Sequence, residues 1–220
     1  MGKKLIIRIV LLYPVFIGIF LFLPAGSLRY WEAWLYAVVL FIPLIVTASY
    51  LIKNDPALLK RRMRHREKEE RQKLIVRLFR LPFILGFFIP GFDYRFGWSD
   101  VPVPLIVIAN LIVFLGYFLV FLVFRENTYT SRIVEIEKDQ KVISTGPYSI
   151  IRHPMYAGSI LMFLCTPPAL GSWWAFLVFG FLPVILVFRI LDEERILRRD
   201  LPGYPEYCRK VRYRLIPFIW

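Results

Sequence analysis

The chain is 220 residues long, 58% of them apolar and 17% aromatic, and it carries a formal net charge of +13. A soluble domain is closer to half apolar and does not gather the excess into long blocks, so the composition excludes an ordinary soluble fold and describes one helical membrane domain. The basic excess lies between and beside the apolar blocks rather than in one patch, which marks it as topology charge and not as a nucleic-acid footprint. No nucleic-acid partner is expected, whereas membrane lipids, anionic headgroups among them, are.

Six apolar segments follow one another. The first, 5–23, comes after Lys3 and Lys4 and is followed by Pro24, Ala25, Gly26 and Ser27. It imitates a signal peptide, but the run is longer than a usual signal core and further spans follow it, so it reads as a retained first helix. The second segment, 31–52, is long enough to cross a bilayer, which takes about 20 residues. The stretch 53–73 alternates its charges in a helix-friendly way, and Asp55-Pro56 marks a helix start. It reads as a solvated helix lying along the lipid surface, with His65 exposed among arginines. The third segment, 74–92, opens with Arg77 and Arg80 about one turn apart, placed to snorkel at the interface. The fourth, 103–124, is again a full span.

Residues 125–152 are polar. Val134, Glu135, Ile136 and Glu137 alternate like a short strand, and Gly146-Pro147 is a turn. The fifth segment, 155–170, is short and holds Pro167-Pro168. With the sixth, 173–190, it is expected to form a tight helical hairpin turning at 167–172, with Trp173 and Trp174 at the headgroup level. Residues 192–199 have helical character, Pro202-Gly203 ends that helix, and 204–211 form another.

With the N-terminus inside, 27 of the 29 Lys and Arg fall on the inner side, leaving Arg29 and Arg95 outside. So lopsided a count predicts that both termini face the cytosol. The expected fold is an all-α, polytopic integral membrane bundle with about six transmembrane segments and C-terminal cytosolic helices. It divides into an N-terminal four-helix membrane region, 1–124, and a C-terminal region, 125–220, made of a loop, a hairpin and a tail. Cys165 and Cys208 then lie on opposite sides of the membrane, too far apart for the roughly 6 Å Cα spacing of a disulfide. With two His and no CxxC pair, no metal site is expected.

The chain has no GxGxxG after a strand, no GxxxxGK[ST] and no GxSxG, so the dinucleotide, phosphate-loop and hydrolase-elbow arrangements are set aside. The polar residues that remain cluster at one mouth of the last three spans. His153 and Pro154 start the fifth helix, where free N–H groups and the positive end of the helix dipole favour anions. Tyr148 and Tyr156 offer aromatic faces to a flat or cationic ligand. Arg189 ends the sixth span, and Glu193 follows one turn later on the same face. Each residue alone has a bland reading: a snorkelling anchor for Arg189, a helix start for His153, a charge pattern for Glu193 and Glu194, an interfacial belt for the tyrosines. Together they make a pocket for a cation beside a guanidinium able to grip a carboxylate with two hydrogen bonds.

Gly146, Tyr148, Arg152-His153-Pro154-x-Tyr156, Arg189-x-x-x-Glu193-Glu194 and the ending Glu206-Tyr207 with Arg214-Leu215-Ile216-Pro217 resemble the isoprenylcysteine carboxyl methyltransferase family and, more broadly, the membrane methyltransferases that include phospholipid methyltransferases. The resemblance covers residues 127–218, under half the chain. It implies S-adenosylmethionine as cofactor in a cytosolic pocket, contacted by Gln140, Lys141, Val142, Ile143, Tyr148, His153, Pro154, Met155, Tyr156 and Glu193. It implies that Arg189 handles the carboxylate of a lipidic or small hydrophobic methyl acceptor. A carboxylate is already ionised at neutral pH and needs a cation and a dry site rather than a base. An amine or thiol acceptor would instead need His153, Tyr156 or Glu194 to take a proton. The alternatives are an NADPH-dependent sterol-type reductase, against which stands the lack of an evident basic cluster for a 2′-phosphate, and a non-catalytic lipid-binding membrane protein. The membrane would be the plasma membrane in a prokaryote and the endoplasmic reticulum in a eukaryote.

Overall fold

The computed structural model describes residues 2–63, 70–131, 136 and 140–220. His65 and the alternating stretch at Val134, Glu135 and Glu137 lie outside the described residues. Every regular element among the described residues is a helix, with no strand among them. In chain order they form α1 (Gly2–Ile17), a π-helical turn (Gly18–Phe22), α2 (Leu23–Ala25), α3 (Trp31–Asn54), α4 (Pro56–Arg62), α5 (Glu70–Phe96) and α6 (Val103–Glu126). A 3₁₀ turn (Gly146–Ser149) precedes α7 (Pro154–Ala169), α8 (Phe176–Phe179), α9 (Phe181–Asp200) and α10 (Tyr204–Lys210).

Four stretches are long and apolar enough to cross a membrane: Lys4–Ala25, Trp31–Asn54, Arg71–Phe96 and Val103–Glu126. They match the first four apolar segments read from sequence. Large apolar side chains such as Leu11, Ile42, Leu81 and Leu111 are more than half exposed on the bundle, as helices facing lipid require. This is an integral membrane protein. The fifth and sixth segments are built differently. At 16 residues, α7 is about 24 Å long. The apolar part of α9 gives way to Asp192, Glu193 and Glu194 halfway along.

Local chemistry explains where elements start and stop. Asp55 caps α4, its Oδ1 accepting from the Leu58 N–H at 2.8 Å, with Pro56 in the first turn. Pro167 and Pro168 do not end α7, as the sequence reading expected. They sit in its last turn, and their carbonyls accept from the N–H groups of Leu170, Gly171 and Ser172. Having no N–H, they remove the i→i−4 bonds that other residues would make there, and the chain reverses over 170–175 before α8. Gly203, at φ +83°, supplies the left-handed residue that separates α9 from α10.

Two contacts orient the last helices. α6 and α7 cross with backbones touching: a Cβ on Gly158 would lie 2.5 Å from the Gly116 carbonyl oxygen, and one on Gly116 2.7 Å from that of Gly158. At the opposite end from the polar mouth, buried Asp93 gathers the α7–α8 turn. It accepts from the Ser99 N–H and hydroxyl, both at 2.7 Å, and from the Ser172 hydroxyl at 2.5 Å. Tyr30 donates to the Leu170 carbonyl at 2.5 Å, and Tyr36 pairs with Thr166 at 2.8 Å. With the end of α7 and the turn after it fixed to α3 and α5, and α7 pressed to α6, the start of α7 faces α9 across a shared space.

Candidate functional site

That space is a cavity of about 110 Å³ that opens to solvent. The start of α7 supplies His153, Pro154, Met155 and Tyr156, and α9 supplies Arg189 and Glu193. The segment before the 3₁₀ turn adds Gln140, Lys141, Val142 and Ile143, and the turn itself adds Tyr148. All eleven residues singled out in the sequence line this one cavity. The spacing of Arg189 and Glu193 by four places both on the α9 flank that meets Tyr156.

The polar contacts form two layers. In the first, the Tyr156 hydroxyl donates to Glu193 Oε2 at 2.5 Å and accepts from Arg189 Nε at 3.0 Å. One phenol thus ties the carboxylate and the guanidinium together across two helices, and stands 5.7 Å from the His153 ring, centroid to centroid. The second layer lies beneath. Glu194 is 3% exposed and sits among three guanidiniums and an imidazole: Arg152 Nε at 2.7 Å, His153 Nε2 at 3.3 Å, Arg214 Nε at 3.1 Å and Arg198 Nη2 at 3.8 Å. Burial alone would push its carboxyl up. The hydrogen bond and charge of His153, with the guanidiniums of Arg152 and Arg214, outweigh burial and hold it at about 2.

Arg152 also donates from Nη1 to the carbonyls of Val211 and Arg212, each at 3.0 Å. The Arg152 and His153 N–H groups donate to the carbonyls of Tyr213 and Arg214, both at 2.9 Å. The tail after α10 therefore runs alongside the start of α7 and fixes the His153 backbone. Glu194 does not line the cavity, and its low pKa makes it a weak base. The sequence reading that offered it as a proton acceptor is corrected: it is the anion that holds Arg152, His153 and Arg214 in register.

Sequence reasoning assigned no role to several lining residues. Asn127, the first residue past α6, donates through Nδ2 to the Tyr148 hydroxyl at 3.0 Å. Tyr207 donates to the Tyr148 carbonyl at 2.7 Å. Tyr204 closes another wall, its buried hydroxyl without a hydrogen-bonded oxygen or nitrogen among the described residues. Burial raises the phenols of Tyr148, Tyr204 and Tyr207, so all three remain neutral. The aromatic spacing in Pro202-Gly203-Tyr204-Pro205-Glu206-Tyr207 was the available signal for the last two. Arg62, at the end of α4, donates to the Ser131 carbonyl at 3.3 Å and reaches Met155 Sδ at 3.8 Å, two residues of the cavity wall, and packs over the Phe124 ring at 4.9 Å, without itself lining the cavity.

The donor set suits a particular kind of ligand. Five tyrosine rings and the imidazole offer flat faces, Glu193 offers an anion, and the Tyr204 hydroxyl, which no oxygen or nitrogen partners among the described residues, offers a buried polar contact. A molecule with a flat heterocycle and a positive centre would satisfy all three. The residues fit S-adenosylmethionine on these grounds.

The fold and the site thus define an integral membrane protein with a polar, aromatic-walled cavity at one end of its apolar bundle. Residues 105–201, the segment from α6 through α9 that carries most of the cavity wall, match the family model for phospholipid methyltransferase. The resemblance to membrane methyltransferases read from the motifs therefore holds over that segment. Among curated proteins, the chain is similar to a Delta(14)-sterol reductase of Mus musculus, 27% identical over 44% of this chain and 25% of that protein. It is also similar to a Delta(14)-sterol reductase of Schizosaccharomyces pombe, 24% identical over 54% of this chain and 32% of that protein. The chain thus spans between a quarter and a third of the length of these relatives.

Proposed function

We propose that this protein is an integral membrane methyltransferase that uses S-adenosylmethionine and methylates a carboxylate of a lipidic or small hydrophobic acceptor. The observation that carries the reading is the convergence of Tyr148, His153, Tyr156, Arg189 and Glu193 on one cavity within the segment that matches the phospholipid methyltransferase model. Bound there, S-adenosylmethionine supplies an electrophilic methyl group on a sulfonium.

The chain's own residues do the rest. Glu193, fixed by the Tyr156 hydroxyl, would present a carboxylate to the positive end of the cofactor. Tyr148 and Tyr204 would hold its flat portion, with Gln140, Lys141, Val142, Ile143, Pro154 and Met155 completing the wall. Arg189 holds the acceptor carboxylate by paired hydrogen bonds, its own position set by Tyr156. An ionised carboxylate gives up no proton, so no base is required. The acceleration comes from alignment and from keeping water off the nucleophile. The weight of basic residues at this end of the bundle supports a cytosolic site with both termini on the same side, in the plasma membrane of a prokaryote or the endoplasmic reticulum of a eukaryote.

The test is transfer of radiolabelled methyl groups from S-adenosylmethionine into an extract of membrane lipids and small hydrophobic acids, followed by base. Volatile methanol released by base marks an ester and is the expected result. Label that stays on the acceptor after base treatment overturns the carboxylate and points to an amine or thiol. A second reading, an NADPH-dependent sterol-type reductase, is favoured by the two sterol reductase relatives. Heat stabilisation by NADPH and not by S-adenosylhomocysteine would select it.

A further inference from the structure

A second cavity, of about 480 Å³, lies between α5 and α9. The sulfonium-type site does not use it. On α9, Ile185, Phe188 and Arg195 face this groove, while Arg189 and Glu193 face the polar cavity on the other flank. The walls are apolar: Phe188, Leu74 and Leu78 are 61%, 55% and 54% exposed within the bundle. The charged groups sit at one end, where both helices change from apolar to charged sequence. They are Arg71 on α5 and Asp192 and Arg195 on α9.

The single acidic group is already engaged. Asp192 Oδ2 accepts from buried Gln72 at 2.9 Å, which clamps α9 to α5, and Asp192 Oδ1 lies 3.0 Å from Arg195 Nη2. Arg71 is exposed and the Arg195 side chain is 52% exposed, so the mouth carries a net positive charge above an apolar slot. A ligand that matches needs an anion joined directly to an apolar tail at the boundary between water and hydrocarbon. A soluble anion leaves the slot unfilled, and a lipid of zero net charge leaves the net positive charge of the mouth unbalanced.

We infer that the α5–α9 groove is a binding site for an anionic phospholipid, its headgroup on Arg71 and Arg195 and an acyl chain against Leu74, Leu78, Ile185 and Phe188. The site is independent of the methyl-transfer reading and holds whichever reaction the polar cavity performs.

The test is native mass spectrometry of the full chain released from detergent micelles, titrated separately with phosphatidylglycerol, phosphatidylcholine and soluble glycerol 3-phosphate. One phosphatidylglycerol is expected to stay on the chain at lipid levels where phosphatidylcholine does not. With each basic residue near a membrane surface worth about 1 kcal/mol, R71Q should weaken retention about 5-fold and the R71Q/R195Q pair roughly 30-fold. Leu78→Trp should abolish it by filling the slot while leaving both charges in place. Arg71 is exposed, so R71Q alone carries the charge test if the double variant fails to fold. Equal retention of the two lipids, undiminished retention in R71Q, or displacement of the lipid by glycerol 3-phosphate at comparable concentration overturns the assignment.

Discussion

Replacing Glu194 with Gln removes the one anion shared by Arg152, His153 and Arg214. The variant keeps the shape of the side chain and takes away its charge, leaving Arg152, 6% exposed, without a counter-ion. Breaking one side of a buried ion pair costs about 3–5 kcal/mol. Arg152 keeps the Val211 and Arg212 carbonyls, each at 3.0 Å, and Arg214 has access to solvent, so the low end applies. The titration gives a similar figure. The gap between the ordinary carboxyl value of 4.5 and about 2 corresponds to ~3 kcal/mol, trimmed by solvent around Arg214 and Arg198. An expected loss of about 2–3 kcal/mol translates into a fall of about 4–12 °C in Tm for a chain of this size.

The pH dependence carries the sign. Because the folded value is lowered, the stabilisation by Glu194 is complete above pH 4.5 and is lost as pH falls towards 2. Thermal unfolding in detergent at neutral pH should therefore separate E194Q from the parent widely, and the two curves should converge as the buffer is taken from pH 4.5 towards 2. Coincident curves at neutral pH, or a difference that grows on acidification, would refute the role of Glu194 as the buried hub.

Arg189→Ala should abolish turnover of a carboxylate acceptor while leaving the affinity for S-adenosylhomocysteine near that of the parent; parallel loss of both would join the two roles that the geometry divides. Glu193→Gln should weaken S-adenosylhomocysteine roughly 10- to 100-fold, the range for a lost charged hydrogen bond, and His153→Ala should weaken it as well. Unchanged affinity in both, measured by calorimetry, removes them from the cofactor wall. Gly158→Ala puts a methyl group 2.5 Å from the Gly116 carbonyl oxygen, where neither helix backbone can yield cheaply. A loss of about 1–3 kcal/mol is expected, and a parent-like Tm would show that α6 and α7 do not need their close crossing.

Much of this was legible in the amino-acid order, for identifiable reasons. The first four spans were readable because unbroken apolar runs of bilayer length leave little else to read. Asp55-Pro56 gave the start of α4 because cap chemistry is local. Gathering His153, Tyr156, Arg189 and Glu193 into one cavity needed only helix periodicity and a hairpin. The rest depended on contacts between segments distant in sequence. Pro167 and Pro168 suggested a turn, but their carbonyls could close α7 from inside its last turn. The position of Arg62 over Ser131 depends on how α4 folds back, which no local pattern encodes. Glu193 and Glu194, adjacent in sequence, diverge in role because successive helix residues point about 100° apart. One enters the cavity and the other a nest of guanidiniums.

The most direct measurement is equilibrium binding of S-adenosylhomocysteine to the purified chain in detergent by isothermal titration calorimetry. Saturable binding of one molecule per chain, weakened roughly 10- to 100-fold in Glu193→Gln and retained in Arg189→Ala, is the expected result. No heat of binding from the parent protein at ligand concentrations up to the millimolar range, with NADPH binding in its place, would contradict a methyl-donor cavity.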